Sequence, residues 1–399
     1  MGGMRYAGIA MNLVIHDLDQ EKWEKYSRDY SGWNAVTDNG AMNPCIGCFS
    51  CWNRTPGKCA INDGYDNMGS LIHNADEVVV ISKYTYGGFS GSVKNVFDRC
   101  LGYVLPQFEV IRHETHHKKR YDEDKPFTFI FYGPVLSDDE KASAERYARA
   151  VCDNIRGHVK HVEFRVCDPV PDSDGKPAAK EPDDHIPVYS SGKTILLNGS
   201  MRNINGNSAK LARKLAGKLR SKPEIIDLKN YIKDLQKLSG DLSNANRIIL
   251  CVPLYVDGLP SQVIRLMELL ESYPGEQKQI YVLANMGLYE SSQLVNLFSA
   301  MRQWCGKCGY KYCGGLGISA GELLGTLMEM IPFRLGATRN AAKAMDALAD
   351  AVNRGIIVGD LYAEPYRFPR SLYIWIANTN WNRTAKQNGL SPKELYRRL

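Results

Sequence analysis

At 399 residues the chain is too long for one ordinary domain and suits two of roughly 150–200 residues each. Its 44% hydrophobic and 24% charged residues and mean hydropathy of −0.33 exclude a disordered chain, and no apolar run approaches the ~20 residues of a membrane span. A net charge of +6, scattered along the chain, is too weak to point to a nucleic-acid surface and is compatible with a phosphorylated cofactor.

The N-terminal stretch MGGMRYAGIAMNLVIHDLDQ carries one arginine and no long apolar core, so no secretion signal is read and a cytoplasmic location is expected. Eleven cysteines then point to reduced thiols. The first strand is predicted at residues 12–18. It runs into HDLDQEKWEKY, where Asp17, Asp19 and Glu21 stand in place of a Gly/Ser/Asn cradle. A phosphate dianion would meet carboxylates there and no donor. Next comes CIGCFSCWNRTPGKC, with Cys45, Cys48, Cys51 and Cys59 spaced C-x2-C-x2-C-x7-C and Gly47 and Gly57 letting the chain curl. Three readings stand side by side: buried or redox-active thiols, a zinc site, or a [4Fe–4S] cluster. Zinc takes two separated C-x2-C knuckles, whereas a compact run with a more distant last cysteine matches the cluster best.

Further strands are predicted at 78–82, 127–132 and 161–166. Between them HETHHKKRY, residues 113–121, reads as a basic loop in which three histidines beside Lys118, Lys119 and Arg120 repel a metal cation. Such a loop is solvated, or meets nicotinamide-cofactor phosphates or an acidic substrate. From residue 168, DPVPDSDGKPAAKEPDDHIPVYSSGK carries five prolines and five aspartates, a linker composition. It divides a domain at 1–167 from one at 193–399, with the linker at 168–192.

The two sides repeat each other. ADEVVVISKYTYGGFSGSVKNVFDR from Ala75 and ANRIILCVPLYVDGLPSQVIRLMEL from Ala245 pair Val78 with Ile248, Gly88 with Gly258, Val93 with Val263 and Asp98 with Glu268. Each reads as a buried strand, a Gly/Pro loop with an aromatic, and a helix. Around the second copy, KTILLNGS, PEIIDL, IILCVPLY and QIYVLANMG are strands, SAKLARKLAGKLRS is a helix with Leu211, Leu215 and Leu219 on one face, and another helix spans 260–272. Strands alternating with helices give a parallel sheet covered on both faces.

In GSMRNINGNS, residues 199–208, small residues, Arg202 and hydrogen-bond donors converge on a helix start, where the dipole favours an anion. The bland alternative is an ordinary Gly/Asn-rich turn. Loops bearing Tyr255 and Tyr289 follow the next strands and would bracket a flat ring at the carboxyl edge of the sheet. Cys305, Cys308 and Cys313 lack a fourth partner and read as non-ligating. The aromatic C-terminal stretch reads as core or interface packing, or as the entrance to a flavin, and Ser391, Pro392 and Glu394 as a capped helix start.

On Ser200, Arg202, Asn207 and Ser208 with the P-x-Y loop, the second half resembles the NAD(P)H-dependent FMN reductases of the flavodoxin-like superfamily, Met201 standing where that pattern has proline. The resemblance implies two tandem flavodoxin-like domains of strand order 2-1-3-4-5. It implies FMN phosphate on Ser200, Arg202, Asn205, Gly206, Asn207 and Ser208. The isoalloxazine would lie against Pro253, Leu254, Tyr255, Val256, Asp257 and Gly258 and against Asn285, Met286 and Gly287. Through its compact cysteine run the first half resembles the iron–sulfur flavoproteins, and with Gly47, Gly57 and Asp63 added it resembles a wider set of flavodoxin-like reductases. The former likeness implies a [4Fe–4S] cluster on Cys45, Cys48, Cys51 and Cys59 near an FMN, in a family of homo-oligomers. The first half keeps the ring-side residues Tyr84, Tyr86 and Gly87 but not the phosphate anchor, and the second lacks the cysteine run. The losses are complementary, so one FMN and one cluster per chain are expected to work together.

The expected activity is FMN-dependent electron transfer from NAD(P)H, or a reduced partner, to a small-molecule acceptor or redox protein. No nucleic acid or membrane is expected as a partner. A non-catalytic flavin/iron–sulfur carrier, a plain FMN reductase without a cluster, and a flavin-free interaction protein are the alternatives. No catalytic side chain is singled out, because the cofactor carries the chemistry.

Overall fold

The computed structural model describes residues 11–167, 192–202, 206–274 and 278–399. The predicted linker, up to residue 191, and Asn205 lie outside them.

The first half runs β1 (Leu13–His16), α1 (Gln20–Tyr26), β2 (Asn34–Val36), α2 (Ser50–Asn53), α3 (Met68–Asn74), β3 (Val78–Lys83), α4 (Gly91–Asp98), β4 (Val104–Ile111), β5 (Glu114–Lys119), β6 (Lys125–Gly133), α5 (Asp138–Ile155) and β7 (Gly157–Val166). Its parallel sheet has the order β2-β1-β3-β6-β7, with Leu13 beside Val78 and Val78 beside Phe127. Set the β4–β5 hairpin apart and this is the 2-1-3-4-5 order of flavodoxin-like folds. The central strands are apolar runs because helices cover both faces; Val78, Val80, Phe127 and Phe129 are buried.

The second half runs β8 (Thr194–Asn198), α6 (Asn207–Ala216), β9 (Glu224–Asp227), α7 (Leu235–Ser243), β10 (Arg247–Pro253), α8 (Ser261–Leu270), β11 (Gln279–Asn285), α9 (Val295–Cys308), β12 (Lys311–Ile318), α10 (Gly321–Met330), α11 (Arg339–Arg354), β13 (Gly359–Ala363) and α12 (Arg370–Gln387). The parallel order β9-β8-β10-β11-β12-β13 is the same fold extended by one strand. Leu211, Leu215 and Leu219 bury one side of α6, as their spacing predicts. Among the described residues no helix is long and apolar enough to cross a membrane.

The HETHHKKRY segment is not a loop. It forms β5, antiparallel to β4, and is tied to the body through Thr115, whose N–H donates to Glu290 Oε2 at 2.7 Å. Pro106 interrupts the alternation of β4 and the register shifts between Val104 and Phe108, which hides the hairpin from a periodicity reading. Cys313 lies in β12, and Cys305 and Cys308 lie on α9.

The halves meet through equivalent helices of the repeat, α4 packing on α8. Gly91 makes that approach possible: a Cβ there would stand 3.3 Å from the Arg265 backbone nitrogen and run into its side chain. Inside the contact, Lys94 pairs with Asp98, and Asp98 Oδ2 accepts the Ser261 N–H (2.9 Å) at the start of α8. The C-terminal extension then straps back over the first half. Asn378 exchanges two hydrogen bonds with the Phe108 backbone, and Arg120 donates to the Leu395 and Arg397 carbonyls, each at 2.7 Å. Ser391 and Glu394 form the predicted capping box, on a 3₁₀ turn.

Candidate functional site

The carboxyl ends of β8, β10 and β11 open on a cleft lined by residues of both halves. Ser200, Arg202, Asn207 and Ser208 line it from the first loop, Pro253 to Val256 from the second, and Asn285, Met286 and Gly287 from the third. These expected residues therefore come together. The N-cap of α6 is Gly206, which has no side chain to satisfy the first-turn N–H groups. Ser208 Oγ donates to Asn285 Oδ1 at 2.6 Å, linking two loops. Arg202 pairs with Glu322 at 2.9 Å and lies 5.0 Å over the Phe49 ring.

The equivalent place in the first half is filled by the protein itself. Asp19 caps α1 through the Lys22 N–H, and the Asp17 carboxylate accepts the Lys83 N–H. Carboxylates take the position an anion would need.

The opposite wall belongs to the first half: Phe49 and Trp52 of the cysteine loop, Phe108 and His117 of the hairpin, with Trp381 of α12 alongside. Phe49 and Trp52 stack at 5.3 Å and both meet Trp381 edge-on. Burial pushes His117 down to about 4, so it is neutral near pH 7, and its Nδ1 is buried without a partner. Phe49, Trp52, Phe108 and Glu322 were not expected in the site; Trp381 belongs to the aromatic stretch whose alternative reading was a flavin entrance, and His117 to the segment whose alternative reading was a cofactor or substrate contact. Phe49 and Trp52 sit inside the quoted cysteine run, where the interleaved aromatics were the available signal.

The cysteine loop is pinned from several sides. Asp63 forms a two-pronged pair with Arg99, both arms at 2.9 Å, and also accepts the Asn43 N–H; these bonds hold its carboxyl well below the usual range. Gly47 and Gly57 both have positive φ. Burial pushes the Cys45 thiol up to about 12 and Cys51 well up, with neighbouring cysteines of the run adding to each shift. Buried Arg99 lies by Cys59 and buried Arg120 by Cys51, cations suited to offset thiolate charge. Among the described residues no group of three His, Cys, Asp or Glu is gathered for a single metal ion. The loop touches the second half directly: a Cβ on Gly47 would collide with Tyr255 Oη and come within 3.1 Å of Arg202 Cγ.

Other expected site residues lie elsewhere. Tyr84 donates to Gln303 Oε1 at 2.6 Å, Tyr86 donates to Glu271, and a Cβ on Gly87 would stand 2.8 Å from Gln303 Nε2. These three fasten the first half to the second instead of lining the cleft, because the halves meet there and leave no open sheet edge. Tyr289 donates to the Phe368 carbonyl at 2.5 Å and packs on Tyr373, so it anchors the C-terminal extension. Gly258 packs on Tyr147, and Asp257 turns to Asn154, accepting its Nδ2–H at 2.6 Å.

Val256 and Asp257 both have positive φ, a strained geometry for a β-branched residue in a turn at the cleft. Burial raises the Asp257 carboxyl to about 7. An acid raised in the folded state keeps its proton there after the unfolded chain has lost it. Stability is therefore lost as pH rises from about 4 to about 7, up to a few kcal/mol. Asp257→Asn, which tolerates the same φ and still accepts from Asn154, should melt higher than wild type at pH 8 and no higher at pH 4. Equal differences at both pH values in thermal melts would show that the carboxyl does not titrate as stated.

No protein-family model matches the chain. A stretch of 58 residues is 38% identical to an iron–sulfur flavoprotein of Methanocaldococcus jannaschii, spanning 14% of this chain and 29% of the length of that curated relative. Among solved structures, the chain is similar to the Trp repressor binding protein of Bacillus subtilis (18% identity, TM-score 0.32, 39% of this chain and 97% of that one). It is also similar to a Lactobacillus acidophilus flavoprotein in complex with FMN (15%, 0.23, 31% and 92%). A third is an FMN-dependent NADH-azoreductase of Bacillus anthracis in complex with FMN (14%, 0.28, 41% and 100%). The fold described above stands on the sheet order itself.

Proposed function

We propose that the chain is an FMN-dependent oxidoreductase whose second half holds the flavin and whose first half holds a [4Fe–4S] cluster on Cys45, Cys48, Cys51 and Cys59. Electrons enter from NAD(P)H or a reduced partner and leave to a small molecule or a redox protein. One observation carries the reading: the cysteine loop is pressed onto two loops of the second half, Gly47 against Tyr255 of the Pro253–Val256 turn and Phe49 beneath Arg202 of the anion-suited loop. That contact would set the two centres side by side, with Gly47, Phe49 and Trp52 of the cysteine loop lining the cleft. The short likeness to a protein named an iron–sulfur flavoprotein supports the same reading.

When bound, FMN supplies hydride and one-electron transfer, and the cluster supplies single-electron transfer. The protein's own part is binding and positioning. Arg202 and the α6 N-terminus would hold the phosphate through guanidinium and N–H donors, the Ser208 hydroxyl being given to Asn285. The Pro253–Val256 turn and Asn285, which line the cleft, would border the ring. Phe49, Trp52 and Trp381 keep water from the opposite side, and Arg99 and Arg120 stabilise the thiolates.

The test is anaerobic purification with absorbance, iron, sulfide and flavin assays, then NADH and NADPH oxidation with ferricyanide as acceptor. Flavin bands, about four irons per chain and steady turnover are expected. Flavin without iron would leave a plain FMN reductase, and both centres without turnover a carrier. Colourless protein that takes up no FMN would overturn the reading.

A further inference from the structure

We infer that the first-half wall of the cleft seats a flat conjugated ring bearing carbonyl oxygens, and that His117 is the group that hydrogen-bonds to that ring and orients it. The inference deepens the FMN reading above and rests on it, the ring being the isoalloxazine itself or an aromatic carbonyl compound laid beside it. Phe49, Trp52, Phe108 and His117 line the cleft together with the Pro253–Val256 turn and Asn285. Phe49 and Phe108 carry no polar side-chain group. Trp52 has already given its Nε1–H to the Leu101 and Val104 carbonyls, at 2.8 and 3.0 Å. Such a surface suits the face of a flat ring and offers nothing to a charged group.

His117 is the exception among these four. Its imidazole is neutral near pH 7, so it can both donate and accept. The Leu105 and Pro106 carbonyls stand beside the ring, yet Nδ1 is buried with no hydrogen bond of sound geometry. A polar group left unpaired in an apolar wall costs free energy that a partner on the ligand recovers. Packing fixes where the imidazole stands: its centroid lies 4.6 Å from that of Trp52 and 4.8 Å from that of Phe108. Phe108 and His117 are also partners across the β4–β5 hairpin, which lies outside the 2-1-3-4-5 sheet. The Thr115 bond to Glu290 and the Asn378 bond to Phe108 seat that hairpin on the second half and on α12. The hairpin thus adds to the cleft an aromatic face and a hydrogen-bonding group that the sheet itself does not supply.

His117→Phe keeps a ring between Trp52 and Phe108 and removes the nitrogens, while His117→Gln keeps a hydrogen-bonding group. Two titrations compare them with wild type. Apo-protein is titrated with lumiflavin, the isoalloxazine without its phosphate chain, by flavin fluorescence; FMN-loaded protein is titrated with 1,4-naphthoquinone by tryptophan fluorescence. His117→Phe should weaken binding of one of these rings about twofold to about tenfold, the worth of one neutral hydrogen bond, and His117→Gln should recover part of the loss. A loss with lumiflavin makes the ring the flavin, and a loss with naphthoquinone alone makes it a second ring beside the flavin. Equal affinity of wild type and His117→Phe for both rings overturns the inference, as does a wild type that binds neither. Loss of both rings in both variants alike marks a structural role and also overturns it. If wild type takes up no FMN but binds naphthoquinone, the FMN reading fails by itself, and the same comparison on apo-protein with naphthoquinone decides the role of His117.

Discussion

Lys94→Met should lower the free energy of unfolding by about 3–5 kcal/mol, the range found when one partner of a buried ion pair is removed. Lys94 and Asp98 are both buried, their side chains 0% and 1% exposed, at the contact of α4 with α8. Burial already raises the Asp98 carboxyl, and Lys94 is the strongest influence holding it down. Without the ammonium, the carboxylate is left with the Ser261 N–H as its remaining donor in the pair's surroundings. Asp98 should then hold its proton in the folded state well above the unfolded value. The loss is therefore small at low pH and grows as pH rises past about 4. The double variant Lys94→Met, Asp98→Asn should recover much of the loss, because an amide oxygen still accepts from Ser261 and no charge is stranded. Urea titrations of the four proteins form the cycle that checks this. Additive losses in the double variant would mean that the two side chains do not act as a pair.

How far the sequence could be read follows from what each feature depends on. VVVIS and IILCV announced central strands because a parallel sheet buries both faces, and a residue-by-residue repeat is visible whatever the packing. The phosphate-type loop and the cysteine spacing were legible for the same reason: each is contiguous. Tyr84, Tyr86 and Gly87 were misplaced because the repeat makes them look equivalent to the second-half turn. Which copy faces a cavity is decided by how the halves pack, and no local pattern encodes that. The wall of the cleft was hidden for a related reason. Phe49, His117 and Trp381 come from three distant segments, and only the strapping of α12 over the hairpin brings them together. Pro106 hid that hairpin in turn.

Arg202 and Glu322 give predictions of opposite sign. Arg202 lines the cleft next to the α6 N-terminus, held by Glu322 and by the face of Phe49. A phosphate bound at that helix start would take a charge-assisted bond from the guanidinium, worth about 1.5–3 kcal/mol. Arg202→Ala should therefore weaken FMN binding by about tenfold to about a hundredfold. Glu322 also lines the cleft and competes with the phosphate for the same cation. Glu322→Gln removes that competitor and a like charge, so FMN should bind about a few-fold more tightly. The substitution leaves the side-chain shape and the N-terminal turn of α10 intact. Flavin fluorescence titration of apo-protein measures both constants, and raising the salt concentration should shrink both effects. If Arg202→Ala and Glu322→Gln move the affinity in the same direction, the phosphate does not sit at this end of the cleft. If only Arg202→Ala has an effect, the guanidinium holds the Phe49 ring and the cysteine loop rather than the anion. Iron content measured on the same preparations separates those two roles, because a guanidinium that braces the loop would lose cluster together with flavin.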